Sequence, residues 1–183
     1  PEIWSAPWNE LTTKIVDEAP EKGPEKSLMV EFNDSTEKKD YYIRQTVENL
    51  SQGHVYRFTG WIKTYPRKMG YFQIKLLKGK EIVKRIKTDL GSEVWRKFEV
   101  DFALDGAERI EVVCCLKNKS PDQAFWFAGV SLIDTGVSVS GQPVEPEAAK
   151  NILPDSSFEE PSSVRGYCNG FADYRILPGE REL

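Results

Sequence analysis

The side chains that could do chemistry in this chain are aromatic rings and planar polar groups that recur at alternating positions. Residues 41–64 read YYIRQTVENLSQGHVYRFTGWIKT, which is two alternating runs joined by a short polar link around Gly53. A period of two predicts a β-strand with one buried face. In the second run Trp61 falls on the face away from the apolar side chains. A large flat ring there is either covered by another part of the chain or free to contact a ligand.

A strip of aromatic and polar side chains is expected on the faces that point away from the core. If the strands concerned are neighbours in one sheet, the strip consists of Tyr42, Arg44, Thr46, Thr59, Trp61, Tyr71, Gln73, Glu111 and Val113. Such a set suits the recognition of sugars, because flat rings contact the apolar faces of pyranose units and planar polar groups pair with hydroxyls. The alternative for each ring is ordinary packing under a loop, and for Gln73 it is simple solvation.

The residue types give little indication of a catalytic triad, a metal site or a disulfide. His54 is the only histidine and is expected in a turn, so triads and metal sites that need histidine are nearly excluded. Cys114 and Cys115 are adjacent on a predicted strand and should point to opposite faces, while Cys168 is distant, so we predict free thiols. A hydrolase that uses carboxylates alone stays open, although no paired-acid motif indicates one.

The composition predicts one soluble domain followed by a tail. The chain has 183 residues, of which 39% are hydrophobic and 30% charged, and it is long enough to bury a core without disulfides. A formal net charge of -4 gives no general attraction to nucleic acid or to anionic membranes. No apolar run approaches the roughly 20 residues of a membrane span. Because the chain begins at Pro1 without a methionine, we expect a fragment of a longer protein.

A basic run stands out against this acidic balance. It contains Lys63, Arg67, Lys68, Lys75, Lys78, Lys80, Lys84, Arg85 and Lys87. The simple interpretation is a solvated sheet edge that lysines protect from aggregation. The alternative is attraction to an acidic polysaccharide. Nucleic-acid binding would require a more basic domain and a matching motif, and the sequence has neither.

The order of elements predicts an all-β protein. About nine short strands, separated by turns rich in Gly, Asp and Lys, occur without a convincing helix. We therefore predict an antiparallel β-sandwich over residues 1–134. The composition then becomes polar and small, which predicts a linker over residues 135–150 and a tail over residues 151–183.

The ordered set of segments resembles a known family. A QTV strand, a Gly-x-x-Tyr turn, and the segments GWIKT, TDLGSEVWRKF and FWFAGVSL resemble jelly-roll carbohydrate-binding modules of families 4, 9, 16 and 22, within the galactose-binding-like superfamily. The resemblance covers about residues 4–133. It implies a non-catalytic module that binds a polysaccharide or oligosaccharide, in a secreted, extracellular or cell-surface protein with a catalytic domain in the same chain. It also adds Trp126, near the closing strand, and Trp8, near the N-terminal loops, as candidate ligand contacts.

Two departures from the family pattern concern a metal ion and the tail. Family members commonly carry aspartates in the closing strand that help to bind a structural calcium ion, whereas Ala128 and Gly129 stand here. We therefore expect no cofactor, and the sequence argues against calcium. The segment NILPDSSFEE at residues 151–160 resembles the opening strand of such modules. It either begins a following module or adds as a strand to a sandwich edge.

A second class of function remains open alongside sugar binding. The same fold with a filled-in face would serve as a structural or protein-interaction domain. The two classes differ in whether Trp61 and Tyr71 are exposed in a groove.

Overall fold

The computed structural model describes residues 11–32, 40–117, 122–141 and 151–153. The regular elements in these ranges are nine β-strands: β1 (Leu11–Val16), β2 (Ser27–Phe32), β3 (Asp40–Val47), β4 (His54–Tyr65), β5 (Gly70–Lys78), β6 (Glu81–Lys87), β7 (Arg96–Ala103), β8 (Arg109–Lys117) and β9 (Ala124–Ser138). The predicted all-β class is confirmed. No helix in this part of the chain is long and apolar enough to cross a membrane.

The strands form two antiparallel sheets. The five-stranded sheet has the order β1-β2-β9-β4-β7, and the four-stranded sheet has the order β3-β8-β5-β6. Consecutive strands β3 and β4 therefore belong to different sheets, and the polar link between them carries the chain across the sandwich. As a result, the outward side chains of β4 lie on the outer face of the five-stranded sheet, and those of β3 lie on the outer face of the four-stranded sheet.

Aromatic side chains fill the space between the sheets. Phe72 of the four-stranded sheet meets Phe58 and Phe127 of the five-stranded sheet, with ring centroids 5.1 and 5.5 Å apart. Such tilted and edge-on contacts are favourable beyond the area that they bury. A Cβ atom on Gly60 would lie 2.9 Å from the Phe72 ring, which explains a glycine in the middle of β4.

A bulge in β9 sets the register of the sheet centre. Gly129 has a φ of 52°, a backbone conformation that glycine adopts without a steric penalty. The pairing of β4 with β9 shifts between Thr59 and Trp61 at this point, so that Trp61 lies opposite Ala128. An extra residue of this kind bends the strand and increases its twist.

The first residues of the predicted tail lie against the same sandwich. Strand β9 runs to Ser138, past the end of the predicted domain at Asp134. Beyond it, Asn151 forms a bridge with Ile133. The Asn151 Oδ1 accepts a hydrogen bond of 3.0 Å from the backbone N–H of Leu132, and the N–H of Ile152 donates to the Leu132 carbonyl at 2.8 Å. Residues 154–183 lie outside the described part of the chain.

Leu153 joins the core of the domain, with 3% of its surface exposed. We expect Leu153→Ala to lower the free energy of unfolding by about 2–4 kcal/mol, because a buried side chain is lost and a cavity remains. Urea unfolding of the full chain measures this. Val139→Ala is the matched control, since Val139 is 63% exposed between β9 and Asn151 and its truncation should cost little. Equal stability of the two variants would show that Leu153 does not belong to the folded unit.

Candidate functional site

The outer face of the four-stranded sheet carries most of the predicted site residues. Tyr41 and Ile43 of β3 point into the core, so alternation sends their neighbours outward. The side chains of β5, β8 and β6 alternate between the core and the outer face in the same way. We call this outer surface the tyrosine face; its residues include Asp40, Tyr42, Arg44, Thr46, Tyr71, Gln73, Lys75, Arg85, Lys87, Glu111, Val113, Cys115 and Lys117.

The pairing of three strands places two tyrosines in one row. Cys115 of β8 lies opposite Tyr42 of β3 and also opposite Tyr71 of β5. The two tyrosines are therefore two strands apart, with backbones about 10 Å from each other. Both rings are half-buried, and Cys115 between them is only 9% exposed. This row presents two aromatic rings on one surface.

Cationic side chains flank both rings. The Arg44 Cζ and the Lys75 Nζ lie 5.6 and 5.9 Å from the centroid of the Tyr42 ring. The Lys87 Nζ and the Lys117 Nζ each lie 5.6 Å from the centroid of Tyr71. A cation within about 6 Å of a ring centroid is attracted by the ring quadrupole. Each ring therefore has two cations within the range of a cation–π interaction.

A nearly buried carboxylate organises one end of this surface. Glu111 is 8% exposed and lies between β3 and β5, where it accepts from the Arg44 Nη1 at 3.4 Å and from the Lys75 Nζ at 3.2 Å. A buried carboxylate requires such partners. Both oxygens of Glu111 thus accept hydrogen bonds from cations, and through these bonds Glu111 positions Arg44 and Lys75.

Gln73 occupies the row between the tyrosines and Glu111. It lies opposite Val113 on one side and Lys87 on the other, and it is 8% exposed. The structure therefore brings Tyr42, Arg44, Tyr71, Gln73 and Glu111 together on one face. These are five of the eight residues that the sequence suggested as sugar contacts.

Burial raises the pKa values of Tyr71 and Cys115 in this row. Loss of solvent, followed by interaction with Cys115, raises the pKa of Tyr71 to about 12. Burial raises the pKa of Cys115 to about 11, although the hydrogen bond with Tyr71 and the charges of Lys75 and Lys87 favour the thiolate. At neutral pH the row therefore offers a neutral phenol and a neutral thiol.

Trp61 lies on the opposite side of the molecule. It points outward from β4 in the five-stranded sheet and is half-buried under the loop that joins β1 to β2. A Cβ atom on Gly23 of this loop would lie 3.3 Å from the Trp61 Nε1, and one on Gly129 would lie 3.5 Å from its Cδ1. The single strip expected from sequence does not form, because β4 is not a neighbour of β3, β5 or β8.

Trp126 shares the outer face of the five-stranded sheet with Trp61. It is buried, and the Lys63 Nζ lies 4.9 Å from its ring centroid. Lys63 is held there by an ion pair with Glu18 of the loop between β1 and β2. Trp8, the remaining aromatic candidate, lies outside the described residues.

The groups with potential for other chemistry lie elsewhere. His54 opens β4 rather than lying in a turn, and its Nδ1 is 2.8 Å from an oxygen of Asp134. Cys114 faces the core and Cys115 the opposite side, as predicted. Among the residues that the structure describes, no group of three or more His, Cys, Asp or Glu side chains is placed to hold a metal ion.

The sequence did not single out the two lysines beside Tyr71. Lys117 shares the alternation of Glu111, Val113 and Cys115, which was a usable signal for its face. Lys87 was noted only as part of the basic run. That both approach the same ring depends on the positions of β6 and β8 on the two sides of β5.

Comparison with known proteins gives matches at the level of structure. No protein-family model matches the sequence, and no curated protein is significantly similar to it. The enzymatically active domain of tailspike protein 4 from bacteriophage CBA120 is similar over 67% of this chain, with 14% identity and a TM-score of 0.55. The matched part is 17% of that tailspike chain.

The other similar structures are mostly carbohydrate-binding modules. A family 16 module covers 66% of this chain and 84% of its own, with 18% identity and a TM-score of 0.47. The family 22 xylan-binding domain from Paenibacillus barcinonensis covers 70% and 83%, with 12% identity and a TM-score of 0.49. Likenesses at these identities concern the fold alone. The two antiparallel sheets of the domain themselves confirm the predicted β-sandwich.

The raised pKa values predict a loss of stability in alkali. The unfolded chain ionises Cys115 near pH 9 and Tyr71 near pH 10, whereas the folded chain keeps both protonated to about pH 11 and 12. The free energy of unfolding therefore falls as the pH rises through this window. We expect Tyr71→Phe to show a smaller fall of the free energy of unfolding between pH 10 and 12 in urea unfolding, and to lose a phenol that titrates near pH 12. If the phenol absent from the titration of the variant is instead one that titrates near pH 10, Tyr71 is not buried as described.

Proposed function

We propose that this domain is a non-catalytic module that binds a polysaccharide or oligosaccharide on the tyrosine face. The observation that carries the proposal is the row Tyr42–Cys115–Tyr71, which sets two aromatic rings side by side on the outside of one sheet. Each ring can stack on the apolar face of a pyranose unit, and two rings can contact two units of one chain.

Polar side chains around the rings complete the chemistry that such binding needs. Arg44 and Gln73 lie one row below the tyrosines on either side of Val113, with planar donor groups suited to sugar hydroxyls. Glu111 acts indirectly by holding Arg44 and Lys75. Strands position all of these groups, so the site is largely pre-formed and little ordering is required on binding.

The wider role follows from binding without catalysis. We infer that the domain is part of a larger, secreted or cell-surface, carbohydrate-active protein, and that it keeps a catalytic domain of the same chain close to its polymer. Tethering of this kind raises the effective concentration of the substrate.

The burial of the polar groups favours one alternative. Gln73 and Glu111 are each 8% exposed, so they present little surface to a ligand. The alternative function is a structural or protein-interaction sandwich whose tyrosine face is already filled. Binding experiments with substituted tyrosines separate the two functions.

We expect Tyr42→Ala and Tyr71→Ala each to weaken the retention of the protein in polysaccharide affinity gels about tenfold or more, since each removes a ring that stacks on the sugar. Tyr65→Ala is the matched control, because Tyr65 is an exposed tyrosine on the other sheet. A screen of neutral and acidic polysaccharides identifies the polymer used. If the three variants bind alike, or if the wild type binds no polysaccharide, the proposal is wrong.

Trp61→Ala tests the other face of the sandwich. We expect it to lower the free energy of unfolding by about 2–3 kcal/mol, because the loop between β1 and β2 loses its packing partner. Affinity per folded molecule should stay unchanged. A variant that melts like the wild type but loses sugar binding would place the ligand on the five-stranded sheet instead.

A further inference from the structure

The tyrosine face is positively charged in a chain of negative net charge. Apart from Arg109, which pairs with Glu48 at one end of the sheet, the pairing of β3, β8, β5 and β6 places five cationic side chains on it: Arg44, Lys75, Arg85, Lys87 and Lys117. The same rows contain two carboxylates, Asp40 and Glu111. The chain as a whole has a formal net charge of -4. The positive charge is thus concentrated on the face that carries the two tyrosine rings.

The outer face of the five-stranded sheet shows the opposite arrangement. Each cation there has a carboxylate partner: Lys14 pairs with Glu31, Arg57 with Asp101, Lys63 with Glu18 and Lys97 with Glu99. The Arg57 guanidinium also holds the pKa of Asp101 below its usual value. Cations on this side are neutralised within the protein.

Lys87 and Lys117 differ from these paired cations. Neither forms an ion pair with a carboxylate of the described residues; each instead lies 5.6 Å from the centroid of the Tyr71 ring. Because β5 lies between β6 and β8, the two ammonium groups come from the two strands that flank the ring. A ligand stacked on Tyr71 would therefore find on each side an ammonium group that has no ion-pair partner among the described residues.

We propose that Tyr71, Lys87 and Lys117 form a subsite for the acidic group of an anionic glycan, whether a carboxylate or a sulfate ester. This inference rests on the proposed sugar-binding function and assigns its substrate class. The Tyr71 ring stacks on the sugar, and the two lysines donate charge-assisted hydrogen bonds to its acidic group, which are stronger than bonds between neutral groups. The positive face also attracts a polyanion from a distance.

Glu111 gives the face its selectivity at the second ring. Near Tyr42 the cations Arg44 and Lys75 are both hydrogen-bonded to this carboxylate, so their charge is partly neutralised. Near Tyr71 the nearby carboxylate is Asp40, opposite Lys117, and it forms no ion pair with Lys87 or Lys117 among the described residues. The acidic group is therefore held at Tyr71, and a neutral unit of the same chain can stack at Tyr42.

Pairs of polymers that differ only in charge test the inference. Affinity gels or titration calorimetry would compare polygalacturonate with its methyl-esterified form, and dextran sulfate with dextran, at low and at high salt. We expect at least one charged polymer to bind about tenfold or more tightly than its uncharged partner, and salt to weaken that binding. The carboxylate and sulfate pairs show which acidic group is preferred.

Single substitutions test which lysines bind the charged polymer. We expect Lys87→Gln and Lys117→Gln each to weaken binding of the charged polymer by about tenfold, with unchanged melting temperature. Lys14→Gln is the matched control, a lysine of the opposite face that is already paired with Glu31. Tyr71→Ala should weaken binding of the same polymer as well.

Each remaining result has a definite meaning. If charged and uncharged polymers bind alike through Tyr42 and Tyr71, the acidic subsite is wrong while the sugar-binding function stands. If the lysine variants weaken binding but Tyr71→Ala does not, or if duplex DNA binds as tightly as the glycan, the face is a general basic surface and the subsite is overturned. If the wild type binds no glycan, the proposed function and the subsite fall together.

Discussion

The contact of Phe72 with Phe58 and Phe127 is the constraint on which the rest of the structure depends. It joins the centre of the four-stranded sheet to the centre of the five-stranded sheet across the core. Close packing around it leaves room for only a glycine at position 60. Because side chains alternate along a strand, burying Phe72 turns Tyr71 and Gln73 outward. The core contact thus determines which face of β5 is available to a ligand.

The outer faces of the two sheets both carry aromatic rings and cations, but these groups have different partners on each face. On the five-stranded sheet a loop lies over Trp61, Lys63 lies over Trp126, and cations meet carboxylates, so both tryptophans contact other parts of the chain. On the four-stranded sheet the cations lie beside tyrosine rings, and Lys87 and Lys117 form no ion pair with a carboxylate of the described residues. We therefore propose the ligand on the face with the smaller rings, since a loop lies over Trp61 and Trp126 is buried.

One edge of strand β9 pairs first with β2 and then with residues that follow β9 in the chain. Strand β2 covers the first residues of β9, and Asn151 and Ile152 take up the backbone groups of Leu132 further along. Leu153 then enters the core. An edge that pairs with the protein's own chain is closed to other strands at that point. The residues that resemble the start of a new module thus begin as part of this one.

The sequence by itself determined the strands and the residues on each face of a strand. Alternation along β3, β5 and β8 identified Tyr42, Tyr71 and Glu111 as outward residues, and the adjacent Cys114 and Cys115 as residues of opposite faces. These properties are local, because a period of two follows from the geometry of a single strand. Only the tertiary structure decided that β4 belongs to the other sheet, that Cys115 lies opposite both tyrosines, and that a loop covers Trp61. Strand order and register depend on pairings between distant parts of the chain, which the pattern of one strand does not contain.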